Sequence, residues 1–461
     1  MAKKSKKRED RLSDLPDSIL IRILSMLCED TEDSKKVVRT SVLSNRWQFL
    51  WMSVPVSLEI EFPDHIFGPP GKWERDVLDY LISTHRELNY WRSCQKIKKF
   101  SVVYDTRDPE RFVKDVDLWV YFASKLANVE HFKLRCEDGY VFPQFAYKNT
   151  SWRKLDIQLC TNLNPLANVD WSGVVSLSFR FIDWTDGVME KVLSGCPNLE
   201  CLKLYQFLGV HCLEISNAKL RKLIIDNSEI DECDLSLEIL APYIQNLKFL
   251  GPCRRIYLRN VASLVNVVLD FDFCFGKEDP LQRKECTCLK ELFHNVVHVE
   301  KLELGPRCIQ YLSILELEGW QPPLSSWKFL QLGTDLEQLN FPGICCFLQN
   351  SSDLKPLVID GDKYQSTELL LKYTNKDEQI RRFETRDFNC SFLHLKTIKI
   401  LKFSGCVMPL VKYLLKHAII LEKFITAAKY KRSDLYYVKM VQELLSIPRS
   451  SPQASVIFSY R

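Results

Sequence analysis

Short apolar segments recur through the middle of this chain at a nearly constant interval, and that interval restricts the fold more than any other feature. The segments are 129–134, 152–157, 174–179, 199–204, 220–225, 244–249 and 264–269. Their central residues are Phe132, Leu155, Leu177, Leu202, Leu223, Leu247 and Val267, at spacings of 23, 22, 25, 21, 24 and 20. Many read L-x-x-L-x-L or nearly so, as LECLKL, LRKLII and VEKLEL do. A unit of this length holds one strand and one connector. It cannot bury its apolar face alone, so its neighbours must stack on it and form a solenoid. Further strand-like units are expected at 299–304, 312–317, 327–332 and 336–341. A generic α/β domain is the alternative.

The period falls within the 20–29 residues of leucine-rich repeats. Residues 272–290 (DFCFGKEDPLQRKECTCLK) interrupt it with a charged insert, which is read as a loop. After about residue 355 the period fades. A strand at 395–403, a helix at 409–417 continuing to 424, a helix at 435–445 and a strand at 454–458 are expected to form a small α+β cap over the end of the solenoid. Before the repeats, residues 55–128 read as a connecting α/β segment. It has helices near 72–90 and 113–126, a strand near 98–104 and a Pro-Gly turn at 68–71.

The N-terminal stretch has a different period. In SDLPDSILIRILSML, Ile19, Leu20, Ile23, Leu24 and Leu27 lie on one helical face. Asp14 is expected to cap this helix, with Pro16 in its first turn. A second apolar segment surrounds Val37 and Val38. A third is expected to start at Ser44 and to carry Trp47, Leu50 and Trp51. Three short helices in so few residues cannot bury all this surface, which points to a partner.

Charge excludes less than it first suggests. The chain of 461 residues has a net charge of +4. Residues 1–11 hold Lys3, Lys4, Lys6, Lys7, Arg8 and Arg11 against Glu9 and Asp10, so this segment carries the whole excess and the remainder is neutral. Residues 1–9 are expected to be a disordered basic tail, either solubilising or a nuclear import signal. A neutral body removes the global argument for a nucleic-acid reader, though not for a local patch. No apolar run is long enough to span a membrane, and the basic start has no apolar core of a secretory signal. The expected location is therefore intracellular, in nucleus, cytoplasm or both. The 17 cysteines are scattered and are read as free, mostly buried thiols.

Catalytic and metal signatures are weak. Cys286, Cys288, His294 and His298 form the sharpest metal-like cluster, but a Cys-x-Cys pair is tighter than structural zinc sites use, and ELFHNVVH reads as an amphipathic helix. The sequence has no H-E-x-x-H, G-x-S-x-G, P-loop or G-x-G-x-x-G motif. No catalytic residue, metal ligand or cofactor is assigned.

The segment DRLSDLPDSILIRILSML…VVRTSVLSNRWQFLW closely resembles the plant-type F-box. The match lies in Leu15-Pro16, Ile19-Leu20, Ile23-Leu24, Arg39-Thr40-Ser41, Leu43-Ser44, Arg46-Trp47 and Leu50-Trp51. The resemblance implies docking onto a Skp-type adaptor and, through it, a cullin. The implied contacts are Leu15, Pro16, Ile19, Leu20, Ile23, Leu24, Val42, Ser44 and Trp47, with Trp51 as an alternative core residue. The C-terminal part resembles the FBD domain of plant proteins that combine an F-box with leucine-rich repeats. That resemblance rests on 336–344 (LEQLNFPGI), 395–400 (LKTIKI), 411–418 (VKYLLKHA) and 443–449 (ELLSIPR), and it departs from the family in the short connection at 405–409. The Gly-Cys-Pro-x-Leu-Glu signature of such repeats is present at 195–200.

The expected protein is thus α/β, with a basic tail (1–9), a three-helix F-box (10–54), the connecting segment (55–128), leucine-rich repeats (129–355) and an FBD-like domain (356–461). The resemblance implies a non-catalytic substrate receptor of a Skp–cullin–F-box ubiquitin ligase with an unknown protein substrate. Neither membrane nor nucleic acid is expected as a partner. The alternative is a repeat scaffold that no longer engages a ligase.

Overall fold

The central residues of the repeat stand in columns. In a computed structural model, Phe132, Leu155, Leu177 and Leu202 face one another across adjacent strands, and so do Leu223, Leu247 and Val267. The structure describes residues 14–27, 34–61, 72–92, 97–104, 109–136, 140–158, 163–229, 235–273, 283–334, 337–361, 368–385, 392–403, 405–428 and 435–460. The expected tail, residues 1–9, lies outside them. The chain divides into two compact units, residues 1–209 and 210–461.

The first unit holds six parallel strands in chain order: β1 (Val56–Glu61), β2 (Ile97–Tyr104), β3 (Val129–Cys136), β4 (Lys154–Gln158), β5 (Ser176–Asp183) and β6 (Cys201–Leu208). Its helices are α1 (Asp17–Met26), α2 (Ser34–Arg39), α3 (Lys72–Trp91), α4 (Pro109–Tyr121) and α5 (Asp186–Ser194). A π-turn at Phe122–Leu126 extends α4. The parallel pairing begins at β1, well before the first unit of regular spacing at 129. The early strands escape the periodic reading because the intervening helices α3 and α4 lengthen the repeat.

β3 begins at Val129 as the apolar pattern suggests, whereas the strands of the six later repeats begin two residues later than it suggests. Val174, Leu199, Leu220 and Leu264 are buried, but each closes a turn by donating its N–H to the carbonyl of Trp171, Cys196, Asn217 or Val261 at 2.9–3.2 Å. An apolar residue that fills the core from a turn cannot be told from a strand residue by pattern alone. Large rings line the interior, and two of the buried indoles find backbone carbonyls: Trp152 donates to Ala123 at 3.1 Å and Trp171 to Ala146 at 2.9 Å. Such pairing offsets the cost of burying the indole N–H at these two positions.

The second unit contains β7 (Cys212–Glu214), β8 (Lys222–Asp226), β9 (Ser236–Leu240), β10 (Asn246–Cys253), β11 (Arg255–Arg259) and β12 (Asn266–Phe273), followed by α6 (Arg283–Asn295), β13 (Lys301–Leu304), α7 (Pro306–Leu317) and β14 (Phe329–Gly333). After these come α8 (Phe341–Gln349), β15 (Pro356–Asp360), α9 (Glu368–Leu371), α10 (Lys376–Thr385), β16 (Thr397–Leu401), α11 (Met408–His417), β17 (Lys423–Ala428), α12 (Leu435–Ser446) and β18 (Ser455–Tyr460). Strands β8, β10 and β12 to β18 make one parallel ladder. Strands β7, β9 and β11 make a second, three-stranded one.

Two expected strands are helices. Residues 312–317 belong to α7, and Gln338–Asn340 form a 3₁₀ turn leading into α8, which begins at Phe341. Both helices are buried almost all round, α7 with Gln310, Ser313 and Glu316 among its buried residues, and a helix without an exposed polar face lacks the period that would distinguish it from a buried strand. Pro306 and Pro342 sit in their first turns, where proline is tolerated. Beyond residue 355 the strands do not form a separate sheet. Leu357, Ile398, Phe424 and Val456 continue the column of Leu302 and Leu330, at longer and uneven intervals.

Candidate functional site

The N-terminal segment is built around one small core. Leu20 and Leu24, one turn apart on α1, are buried together with Val37, Trp47, Leu50 and Trp51. Trp51 fixes this core to the first unit. Its ring stacks on Tyr90 of α3 at 4.9 Å and meets Trp91 edge-on at 5.6 Å. Its indole nitrogen donates to the Gln48 carbonyl at 3.0 Å. The alternative reading of Trp51 as a core residue is the observed one.

Several local expectations are corrected. Asp14 does not cap α1; Pro16 occupies the cap position, with an extended backbone, and its carbonyl accepts from the N–H groups of Ile19 and Leu20 at 2.9 and 3.1 Å. The third expected helix is a run of turns ending in a 3₁₀ turn at Leu50–Ser53, and Ser44 acts through its carbonyl, which accepts from Trp47 N–H at 3.0 Å. Arg46 closes the segment by donating to the Leu15 carbonyl and pairing with the Asp17 carboxylate at 2.6 Å.

The nine residues expected to touch an adaptor therefore fall into two sets. Leu20, Leu24 and Trp47 are interior and have no surface to offer. Leu15 and Ile23 are half-buried, while Pro16, Ile19, Val42 and Ser44 are exposed. The reason is helical geometry. Ile19, Ile23 and Met26 share one side of α1, and Leu20 and Leu24 share another, so an apolar run that reads as a single wide stripe divides into an inner and an outer face. Exposed apolar side chains that the sequence reading omitted join the outer set: Met26 is 70% exposed, Leu43 63% and Phe49 60%, beside Val42 at 85%. Their signal was present as apolar residues adjacent to the motif positions, but adjacency alone does not say which of a pair faces out.

Of the metal-like cluster, the Cys286 side chain lies outside the described residues, and Cys288 and His298 are engaged with backbone carbonyls. The Cys288 thiol is buried and donates to the Ile256 carbonyl at 3.0 Å, and the His298 ring contacts the Val261 carbonyl at 3.2 Å. Among the described residues no group of three or more metal-binding side chains occurs. The thiols of Cys136, Cys196, Cys253, Cys288, Cys308, Cys345 and Cys346 are buried, while Cys406 is exposed. Burial pushes Cys196 and Cys308 up to about 12 and Cys346 to about 11, the reverse of an activated nucleophile. No described helix is long and apolar enough to cross a membrane.

Comparison with known proteins agrees with this architecture. Residues 91–445 match the family described as At1g61320/AtMIF1, LRR domain. A putative F-box protein of Arabidopsis thaliana, At1g49610, is 30% identical over 352 residues, covering 76% of this chain and 84% of the relative. The F-box/LRR-repeat protein At3g03360 of the same plant is 29% identical over 77% of this chain and 71% of its own length. The putative F-box/LRR-repeat protein At3g18150 is 28% identical over 91% of this chain and 88% of its own. With a parallel ladder of repeats behind an N-terminal helical segment, this chain belongs to the plant F-box/leucine-rich-repeat protein family.

Proposed function

We propose that this protein is the substrate-recognition subunit of a Skp–cullin–F-box ubiquitin ligase and performs no chemistry itself. The observation that carries the reading is the outer face of residues 14–54. Ile19, Met26, Val42, Leu43 and Phe49 expose apolar surface on a segment whose inner face is already satisfied. Apolar surface of this density on so small a unit marks a protein–protein interface. The names of the relatives, F-box and F-box/LRR-repeat proteins, favour a Skp-type adaptor as its occupant. The adaptor would bridge to a cullin, and the repeats would hold a protein substrate near the conjugating enzyme, raising its effective concentration. In this reading the last hundred or so residues, which resemble the FBD domain, complete the receptor body, and the protein works inside the cell.

The test uses outward residues only. Ile19→Asp combined with Val42→Asp is expected to abolish capture of a Skp-type adaptor while leaving the melting temperature nearly unchanged, because exposed substitutions usually cost within about 0.5 kcal/mol. Undiminished adaptor capture by this folded variant would overturn the proposal.

A further inference from the structure

The solvent face of the first unit's sheet is basic although the body of the chain is neutral. On β3, Phe132 and Leu134 point inward, leaving Lys133 and Arg135 outward; the same alternation turns Lys154 and Asp156 outward on β4, Arg180 on β5 and Lys203 on β6. Parallel register lines them up in rows. Lys99, His131 and Lys154 form one row; Lys133, Asp156, Ser178 and Lys203 form the next; Arg135, Gln158, Arg180 and Tyr205 form the third. On these three rows there are six cations to one carboxylate, with Glu130 and Asp183 of β3 and β5 outside them, and the carboxylate on the rows is engaged: Asp156 accepts from His131 at 2.7 Å. Among the described residues no carboxylate pairs with Lys99, Lys133, Arg135 or Lys154. Glu59 and Glu61 on β1 bound the patch at one edge.

The corresponding face of the second unit differs. There Lys301 pairs with Glu303 at 2.8 Å, Lys248 stands between Ile224 and Val268, and Asp226, Asp270 and Asp360 lie along the outer rows. Positive charge is therefore segregated onto one sheet face. A like-charged face of this kind costs self-repulsion unless a counter-charge occupies it.

We propose that the face of β2 to β6 binds an anionic peptide segment, an acidic or phosphorylated stretch of the substrate. This rests on the receptor reading above. Five strands span about 19 Å, which an extended peptide of about six residues would cross. Between the cations, His131, Gln158 and Ser178 offer hydrogen-bonding groups for a backbone. A nucleic acid fits less well. Single strands need open aromatic platforms, and the one aromatic on these rows, Tyr205, is covered by the Arg180 guanidinium at 4.6 Å. Asp156, central in the patch, opposes a dense line of phosphates but is tolerated by a peptide whose charges alternate with neutral residues.

The full chain is titrated with short fluorescent peptides in three forms, rich in glutamate, bearing phosphoserine, or neutral, and with a single-stranded oligonucleotide of similar length. Tighter binding of either anionic peptide than of the neutral one supports the proposal, and the stronger of the two identifies the source of the charge. Lys133→Glu with Arg135→Glu is expected to weaken that binding at least tenfold, while Lys248→Glu with Lys399→Glu leaves it within twofold. Should the first pair fail to fold by circular dichroism, Lys133→Gln with Lys154→Gln replaces it. Unchanged peptide binding in the folded variant, or tighter binding of the oligonucleotide than of either peptide, overturns the inference. Adaptor capture is measured on the same samples. Its absence in the unaltered protein strikes at the receptor reading, whereas its retention beside unchanged peptide binding in the variant strikes only at this one.

Discussion

Single residues in the N-terminal segment and the sheet decide between scaffold and surface. Leu24 lies in a closed core, so Leu24→Ala should cost about 3 kcal/mol, read as a lowered denaturation midpoint, and Val42→Ala should cost almost nothing. The sequence motif places both residues among possible contacts, because a motif records which positions matter without recording whether they matter for folding or for docking. Asp156 gives a pH-dependent case. Burial pushes its carboxyl up, but the His131 hydrogen bond and charge, with Ser178 and Lys203, hold it below the ordinary carboxylate range. A carboxylate depressed in the folded state contributes stability above its unfolded value, about 3.9, and loses it as pH falls through the folded one. His131→Gln should therefore move the acid-unfolding midpoint upward, measured by fluorescence between about pH 5 and pH 2. Nothing in the spacing of His131 and Asp156 along the chain announces this pair; only the register of β3 with β4 brings the two side chains together.

At the scale of elements, the columns were legible and the buried helices were not. Within each unit the central residues, Phe132 to Leu202 and Leu223 to Val267, fall in register because a repeat must return to the same place on each turn. Helices α7 and α8 lack a polar face, so nothing in their pattern opposes a strand reading. Their packing has a polar consequence. Glu316 on α7 is 1% exposed and pairs with Arg382 of α10 at 2.9 Å. Removing Arg382 takes its counter-charge from the buried Glu316 carboxylate, so Arg382→Ala should destabilise the second unit by about 3 kcal/mol. The backbone of a strand can be as restrictive. Gly251 has a φ of +87°, and a Cβ there would lie 2.3 Å from the Asn227 carbonyl carbon and the Ser228 nitrogen. Gly251→Ala should lower the melting temperature more than any alanine substitution at an exposed strand position.

For the molecule as a whole, neutrality of the body hid a segregation of charge that only sheet register reveals, since outward residues from strands far apart in sequence meet on one face. A second whole-molecule property is thiol chemistry. Under native conditions Cys406 should react readily with a thiol reagent while the seven buried cysteines react only on unfolding, a difference measurable by mass spectrometry after timed labelling. The junction between the N-terminal segment and the first strand has a consequence for how this family can change. Val54 and Val56 are buried side by side where the segment runs into β1, and Trp51 is wedged against Tyr90 and Trp91. The segment is thus also the lid on the starting end of the ladder. A descendant that does without the proposed adaptor is free to let Val42, Leu43 and Phe49 drift to polar residues, yet it must keep Leu20, Leu24, Trp47 and Trp51. Loss of the proposed docking would then leave behind a preserved inner face and an eroded outer one, and a gene truncated ahead of β1 would encode a ladder with its core laid open.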